Sequence, residues 1–258
     1  FQDIWATHRP IVVRNVDVDF QIQWSPDYLA ERYGSVTCQV EDCESGSLRN
    51  TSVAEFFSIF RIPQSKRTQI LKLKDWPPAD LLKSTCPQIF DDFIQAIPIP
   101  EYTAPTGIYN LAAHFPLNAV APDLGPKMYC ALSSILDDHH HGSTRLHVDL
   151  SDAINLLTYA STFPDGSPGH AVWHIFSVDD TERIQQLLRA MVPQPCSQDP
   201  IHGQNIYLTP SMLKHFEQSS ITPYTILQRR GDAVFVPAGC AHQVSNATDC
   251  IKVACDFV

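Results

Sequence analysis

Two separated stretches of the sequence carry the side-chain types that bind a transition metal. His147 and Asp149 lie two positions apart in the apolar run 145–150, and His242 follows residues 231–241 far downstream. A β-strand points residues i and i+2 to the same face, so the two side chains of the first stretch are predicted to project side by side. Two histidines and one carboxylate that leave three coordination positions open form the facial triad of non-haem Fe(II) oxygenases.

The elements around these residues indicate how they are positioned. A His-x-Asp pair alone is common and usually structural. Residues 231–241 predict a tight turn, a short buried strand and a Pro/Gly turn before His242, so both stretches place their ligands where a strand meets a loop. Strand ends line the mouth of a double-stranded β-helix, the jelly-roll or cupin barrel. The pattern therefore favours a mostly β fold with helical additions.

Length and composition favour one globular unit. The chain has 258 residues, of which 44% are hydrophobic, and no run approaches the roughly 20 apolar residues of a membrane span. The net charge of −10 disfavours direct nucleic-acid binding, whereas an acidic surface either attracts a basic peptide such as a histone tail or serves solubility alone. The eight cysteines form no C-x-x-C pair and are expected to be reduced core thiols. No signal peptide is evident, and because the sequence begins at Phe1 we expect a fragment of a longer protein.

The sequence pattern changes near residue 125, where short apolar runs separated by turn signals begin. Residues 1–125 predict a mixed helical part, with strands near 10–16 and ending at 76, and helices over 26–33, from 53, over 79–83 and over 87–96. Residues 126–258 predict the barrel, with strands over 127–132, 144–148, 153–160, 171–177, 222–229, 233–236, 242–245 and 250–258, and helices over 181–191 and 210–217. We expect residues 1–258 to form a single catalytic unit.

Longer motifs run almost the whole length of the chain. They include LKLKDWPP (71–78), YNLAAHFP (109–116), PDLGPKMYCA (122–131), TRLHVDLSDAINLL (144–157), DPIHGQNIYL (199–208), GDAVFVPAGCAHQVSN (231–246) and CIKVACDFV (250–258). With them the chain resembles the JmjC-domain lysine demethylases, in particular the subfamily that acts on lysine 9 of histone H3 and includes the hairless protein. The resemblance implies a JmjC double-stranded β-helix and assigns the metal triad to His147, Asp149 and His242.

The same resemblance implies the cofactors Fe(II) and 2-oxoglutarate, O2 as co-substrate, and ascorbate in support. Thr144 and Asn155 lie where related enzymes place donors to 2-oxoglutarate. Many relatives also carry a Lys shortly before the residue that is Trp173 here, but this chain has none at that place. Lys252, a charge inside an apolar run, is the best replacement, because such a charge is costly unless it is paired. The alternative is an edge-strand lysine that faces water.

Other residues have less specific patterns. The resemblance places an aromatic near the methyl-lysine pocket at Tyr129, where a cation–π contact would attract a methylammonium group, and an ordinary core tyrosine is the alternative. Asp152 either orients a strand or meets the substrate. Trp173 and Phe235 are predicted to be core residues. The three consecutive histidines at 139–141 are predicted to form a solvated loop, since consecutive residues cannot all face one ion.

The resemblance implies oxidative demethylation of mono- or dimethyl-lysine on the tail of histone H3, in the nucleus, with release of formaldehyde and succinate. Two alternatives are a JmjC protein hydroxylase and a non-catalytic chromatin-binding module. The intact triad favours catalysis, and substrate profiling separates a demethylase from a hydroxylase. Members of the subfamily usually carry a cysteine-rich zinc-binding region upstream, and residues 1–258 contain nothing like it.

Overall fold

The computed structural model describes residues 1–77, 81–116, 118, 122–134, 136–192 and 199–258. Within them the strands are β1 (Ile11–Val13), β2 (Thr37–Asp42), β3 (Leu48–Ser52), β4 (Leu71–Trp76), β5 (Lys127–Ala131), β6 (Thr144–His147), β7 (Asp152–Ala160), β8 (His170–Ile175), β9 (Tyr224–Arg229), β10 (Ala233–Val236), β11 (His242–Asn246) and β12 (Cys250–Phe257). The α-helices are α1 (Gln2–Trp5), α2 (Pro26–Tyr33), α3 (Val53–Ser58), α4 (Leu82–Thr85), α5 (Pro87–Ala96), α6 (Pro100–Thr103), α7 (Thr181–Met191) and α8 (Pro210–Gln218). Short 3-10 turns lie at Val16–Asp19, Ile59–Arg61, Gln64–Lys66, Leu111–His114 and Val178–Asp180.

The strands pair into two antiparallel sheets. The larger sheet has the order β1-β10-β7-β12-β5-β4-β2-β3, and the smaller has the order β6-β11-β8-β9. Along the chain, β5, β7, β10 and β12 join the larger sheet, while β6, β8, β9 and β11 join the smaller one. Apart from the β8–β9 hairpin, successive strands from β5 onward thus pass between the two sheets as in a jelly roll, and the predicted double-stranded β-helix is confirmed.

The N-terminal part of the chain contributes strands as well as helices to this architecture. β1 pairs with β10 and β4 pairs with β5, so residues before 125 share a sheet with the barrel. The β2–β3 hairpin was missed in the sequence, because β3 reads LRNTS and has no buried residue that would give an alternating pattern. A single catalytic unit over 1–258 stays a prediction, and the shared sheet supports it.

The helix ends follow local side-chain chemistry. Ser25 and Ser52 accept hydrogen bonds from the backbone N–H groups three residues ahead, at 3.1 and 3.2 Å, and so begin α2 and α3 as predicted. The predicted helix over 87–96 is confirmed by α5, which buries one apolar face. The helix predicted over 79–83 lies partly outside the described residues, and α4 begins at Leu82. Among the described helices, none has the length and apolar character needed to cross a bilayer.

The central strand of the larger sheet divides the core from the interior of the barrel. β12 lies between β7 and β5, and its residues at 251, 253, 255 and 257 are buried in the main hydrophobic cluster. The alternate residues at 252, 254 and 256 face a cavity inside the barrel. The cysteines that the structure describes are free and buried, as predicted, and Cys196 lies outside the described residues.

A buried ion pair ties the N-terminal part to the barrel. The Arg67 guanidinium donates to both oxygens of Asp249, with Nη1–Oδ1 and Nη2–Oδ2 distances of 2.6 and 2.7 Å. Asp249 Oδ1 also accepts from the backbone N–H of Ser133 at 2.8 Å. Bidentate geometry and the additional hydrogen bond offset the desolvation of two charges whose side chains are only 9% and 6% exposed.

Removing one partner of this pair is expected to destabilise the fold. Arg67→Met leaves the Asp249 carboxylate buried without its cation, and we expect the free energy of unfolding to fall by about 3–5 kcal/mol. Urea denaturation measures it. Arg61→Met is the matched control, since Arg61 pairs with Asp27 at 2.6 Å on the surface, where a pair contributes at most about 1 kcal/mol. If both variants lost the same free energy of unfolding, burial would not strengthen the Arg67–Asp249 pair relative to a surface pair.

Candidate metal centre

The strands that carry the two histidines are neighbours in the smaller sheet. His147 is the last residue of β6, His242 is the first residue of β11, and the two are paired across the strands. Asp149 lies two residues beyond the end of β6, so it projects from a loop and not from the strand that the sequence predicted. Its Oδ1 lies 3.8 Å from His147 Nε2, and its Oδ2 lies 3.5 Å from His242 Nε2. The three predicted ligands therefore converge.

A turn on the other side of the site holds the loop that carries Asp149. The backbone N–H of Gly239 donates to the carbonyl oxygen of Asp149 at 2.9 Å. Gly239 has a φ of +76°, a left-handed conformation that glycine adopts without strain. The Pro/Gly turn before His242 thus positions the carboxylate ligand as well as the second histidine.

Hydrogen bonds orient both imidazoles for metal binding. Nδ1 of His147 lies 2.8 Å from the carbonyl oxygen of Arg145, and Nδ1 of His242 lies 3.0 Å from that of Cys240. A carbonyl only accepts, so each Nδ1 carries the proton and each Nε2 offers its lone pair. Burial, with a smaller contribution from neighbouring His147, lowers the pKa of His242 to about 4, which keeps this ring neutral at pH 7.

The donor set fits one divalent ion. Ligand atoms of His147, Asp149 and His242 all lie within 4.8 Å of one another. Two imidazoles and one carboxylate match the facial triad that binds non-haem Fe(II) with open positions. In the part of the chain that the structure describes, no other group of three histidine, cysteine or acidic residues meets this criterion.

A β-bulge in β6 brings Thr144 to the same side as His147. The register pairs His147 with His242 and Thr144 with Val244, so three steps on β6 oppose two steps on β11. Regular alternation would place residues three apart on opposite faces of a strand. Because of the extra residue, Thr144 and His147 both line the cavity.

The triad opens into a cavity of about 310 Å³ whose wall includes residues of both sheets. Lys252 lies in this wall with Asn155. Its Nζ donates to Asn246 Oδ1 at 2.6 Å and lies 5.9 Å from the centre of the Trp173 ring. Because β12 is paired on both sides, the alternative of an edge-strand lysine that faces water is wrong. Burial lowers the pKa of Lys252, and a buried cation of this kind favours a carboxylate partner.

Tyr129 lies in the cavity wall, opposite Lys252 on the neighbouring strand β5. Burial, and secondarily the charge of Asp75, raises the pKa of Tyr129 well above its usual value, so the phenol is neutral. The Tyr129 side chain also has a hydrogen bond to Asp75. Its place in the wall disfavours the ordinary core tyrosine that was the alternative.

The remaining predictions divide between core and site. Asp152 accepts from Trp5 Nε1 at 3.1 Å and from the backbone N–H of Ala238 at 2.7 Å, so both of its oxygens orient structure outside the cavity wall. Phe235 is fully buried, as predicted. Trp173 is buried too, but it also lines the cavity and stacks on His242 with ring centres 5.9 Å apart.

The three-histidine loop pairs with acids instead of gathering around an ion. His140 Nδ1 lies 2.8 Å from Asp137, and His141 Nδ1 lies 2.9 Å from Glu44. The pairs are partly exposed, which agrees with the predicted solvated loop.

Several cavity residues were not singled out in the sequence: Glu41, Lys72, Asp75, Arg145 and Asp256. Lys72 pairs with Glu41 at 3.1 Å and donates to the carbonyl oxygen of Ser143 at 3.1 Å. Every second residue of β12 faces the cavity, namely Lys252, Ala254 and Asp256. A search of this strand for charged residues an even number of positions from Lys252 would therefore have found Asp256.

The fold and the site together define a double-stranded β-helix with a centre of two histidines and one carboxylate. A family model described as "JmjC domain, hydroxylase" matches residues 159–257. The whole chain aligns at 35% identity with lysine-specific demethylase 3A of Homo sapiens and at 34% with lysine-specific demethylase 3 of Drosophila melanogaster. It is 30% identical to the probable JmjC domain-containing histone demethylation protein 2C of Homo sapiens.

The chain contains a JmjC domain. It spans 23%, 35% and 12% of the lengths of these three relatives, in the order given. The family match begins after His147 and Asp149 and includes His242 and Lys252, so the first two ligands are located by the structure.

Removing one triad residue is expected to weaken metal binding strongly. His147→Ala removes one of the three protein ligands, and Asp149→Asn weakens another. In each variant we expect the dissociation constant for the metal ion to rise by about 100-fold or more. Titration calorimetry with Mn(II), an air-stable substitute for Fe(II), measures it. His140→Ala is the control, because this loop histidine is paired with Asp137 outside the site. Undiminished binding by both triad variants would place the metal elsewhere.

Proposed function

We propose that the chain is the catalytic domain of an Fe(II)- and 2-oxoglutarate-dependent demethylase of mono- and dimethylated lysine 9 of histone H3. The observation that carries the proposal is the convergence of His147, Asp149 and His242 at a cavity that also contains a buried lysine. The similarity of the whole chain to lysine-specific demethylases supports methyl-lysine as the substrate and the nucleus as the location.

Each cofactor has a matching set of residues. The triad would hold Fe(II), and Lys252 with Thr144 and Asn155 would bind 2-oxoglutarate, whose far carboxylate needs a cation and polar donors. Together with O2 these cofactors supply the oxidising power to hydroxylate an N-methyl group, which leaves as formaldehyde while 2-oxoglutarate becomes succinate and CO2. Ascorbate would support turnover by keeping the iron reduced.

The contribution of the protein itself is positioning and electrostatics. The backbone carbonyls behind His147 and His242 fix the rings, and Trp173 covers one face of His242. Tyr129 would offer its ring to the methylammonium group. A substrate held in a partly buried cavity reacts at one C–H bond in preference to others, because orientation replaces a large part of the activation entropy.

The charge of the chain suits a basic peptide. A net charge of −10 is complementary to a histone tail and would raise the rate of encounter at low salt. The same charge argues against nucleic acid as a direct ligand of these 258 residues.

Mass spectrometry of methylated peptides tests the proposal. The chain is incubated with Fe(II), 2-oxoglutarate, ascorbate and a histone H3 tail peptide dimethylated at lysine 9. We expect successive losses of one methyl group, with formaldehyde formed in equal amount, and no change with His147→Ala. Addition of an oxygen atom to an unmethylated peptide would instead identify a protein hydroxylase. Binding of 2-oxoglutarate and peptide without any mass change would favour a non-catalytic module.

A comparison of two cavity lysines tests the 2-oxoglutarate assignment. Lys252→Met removes the buried cation, and we expect the KM and the dissociation constant for 2-oxoglutarate to rise by about 10- to 100-fold. Calorimetry in the presence of Mn(II) measures the dissociation constant for 2-oxoglutarate without turnover. Lys72→Met is the matched variant, since Lys72 lines the same cavity but already pairs with Glu41. A large effect of Lys72→Met with none of Lys252→Met would transfer the role to Lys72.

A further inference from the structure

Strand β12 presents two opposite charges to the same cavity. Lys252 and Asp256 both line it, with Ala254 between them. Four residues of extended strand separate the two Cα atoms by about 13 Å. The cavity is therefore cationic near one position of β12 and anionic near another, so it offers different surroundings to an anion and to a cation.

The Asp256 carboxylate has spare capacity to accept hydrogen bonds. Ser151 Oγ donates to Asp256 Oδ2 at 3.0 Å, and a carboxylate has about four acceptor positions. The charges that raise its pKa are those of three acidic residues: Asp149, Asp123 and Asp75. The lysines on the neighbouring strands β4 and β5 pair with other acids, Lys72 with Glu41 and Lys127 with Asp123. Burial, with a smaller contribution from these negative charges, raises the pKa of Asp256 to about 6.

An aromatic ring lies in the same wall. Tyr129 on β5 has a hydrogen bond to Asp75, and both line the cavity with Asp256. A ring face and a carboxylate are complementary to the two parts of an alkylammonium group, the polarised methyl groups and the N–H bond. Asp149 is assigned to the metal, which leaves Asp256 available for a ligand.

We infer that Asp256 accepts a hydrogen bond from the N–H of the substrate's mono- or dimethylammonium group and thereby selects against trimethyl-lysine. This inference rests on the proposed function and adds the residue that sets the methylation state. A trimethylammonium group has no N–H, so it would leave the carboxylate without a donor and fill the space of the hydrogen bond with a methyl group. A site built to hydrogen-bond its substrate discriminates against an analogue that lacks the donor.

The two charges on β12 also direct the two reactants to different positions in the cavity. Lys252 attracts the dianionic 2-oxoglutarate and repels an ammonium group, whereas Asp256 does the reverse. Repulsion of the wrong reactant from each position contributes to specificity as much as attraction of the right one.

Peptide affinity in the metal-free chain tests the inference without turnover. Fluorescence anisotropy measures the dissociation constants of H3 tail peptides that carry dimethyl- or trimethyl-lysine at position nine. We expect the wild-type chain to bind the dimethyl peptide about 10-fold or more tightly than the trimethyl peptide. In Asp256→Asn the preference should fall to about 2-fold or less, because the neutral amide accepts only weakly from an ammonium N–H. Asp256→Glu keeps the acceptor and should retain part of the preference.

Controls separate a local effect from general damage. Asp165→Asn makes the same charge change in an exposed loop and should leave both affinities unchanged. Binding of 2-oxoglutarate by Asp256→Asn in the presence of Mn(II), at the wild-type affinity, shows that the cavity is intact.

The outcomes for Asp256 and for the proposed function are distinct. An equal preference for the dimethyl peptide in wild type and Asp256→Asn overturns the role of Asp256, even where the wild-type chain demethylates. Absence of demethylation by wild type, with the preference lost in Asp256→Asn, overturns the proposed activity and leaves Asp256 as the recognition residue of a binding site.

Discussion

The pairing of β6 with β11 is the constraint on which the site depends. It places His147 opposite His242, and the carbonyl groups behind the two rings direct both Nε2 atoms toward Asp149. A shift of one residue in this register would turn one histidine to the other face of the sheet and abolish the convergence. The bulge between these strands is part of the same arrangement, because it adds Thr144 to the cavity without moving His147.

The buried charged groups of the cavity reduce the stability of the fold. Lys252 is buried with the amide of Asn246 as its hydrogen-bond acceptor, and Asp256 accepts a hydrogen bond from Ser151 while burial raises its pKa. Groups of this kind destabilise a fold when they lack a partner, and they persist at sites where a ligand supplies the missing charge. The dianion 2-oxoglutarate and a methylammonium group have the charges that these two positions lack.

The N-terminal part is more than a support for the barrel. β4 extends the larger sheet and brings Lys72 and Asp75 into the cavity wall, and the Arg67–Asp249 pair fixes the segment that precedes this strand. A barrel taken alone would therefore lack part of the wall that faces the proposed substrate. The shared sheet gives a physical reason why similarity to the relatives covers the whole chain.

The sequence by itself determined the strands of the barrel, several helices and the chemistry of the ligands. Short apolar runs bounded by turn signals identified the barrel strands, serine caps located α2 and α3, and the types His, Asp and His indicated a facial triad. Only the tertiary structure decided that Asp149 lies in a loop, that a bulge turns Thr144 toward His147, and that Asp256 faces the same cavity as Lys252. Local patterns encode the period of a strand, whereas its register and its neighbours depend on contacts between residues far apart in the chain.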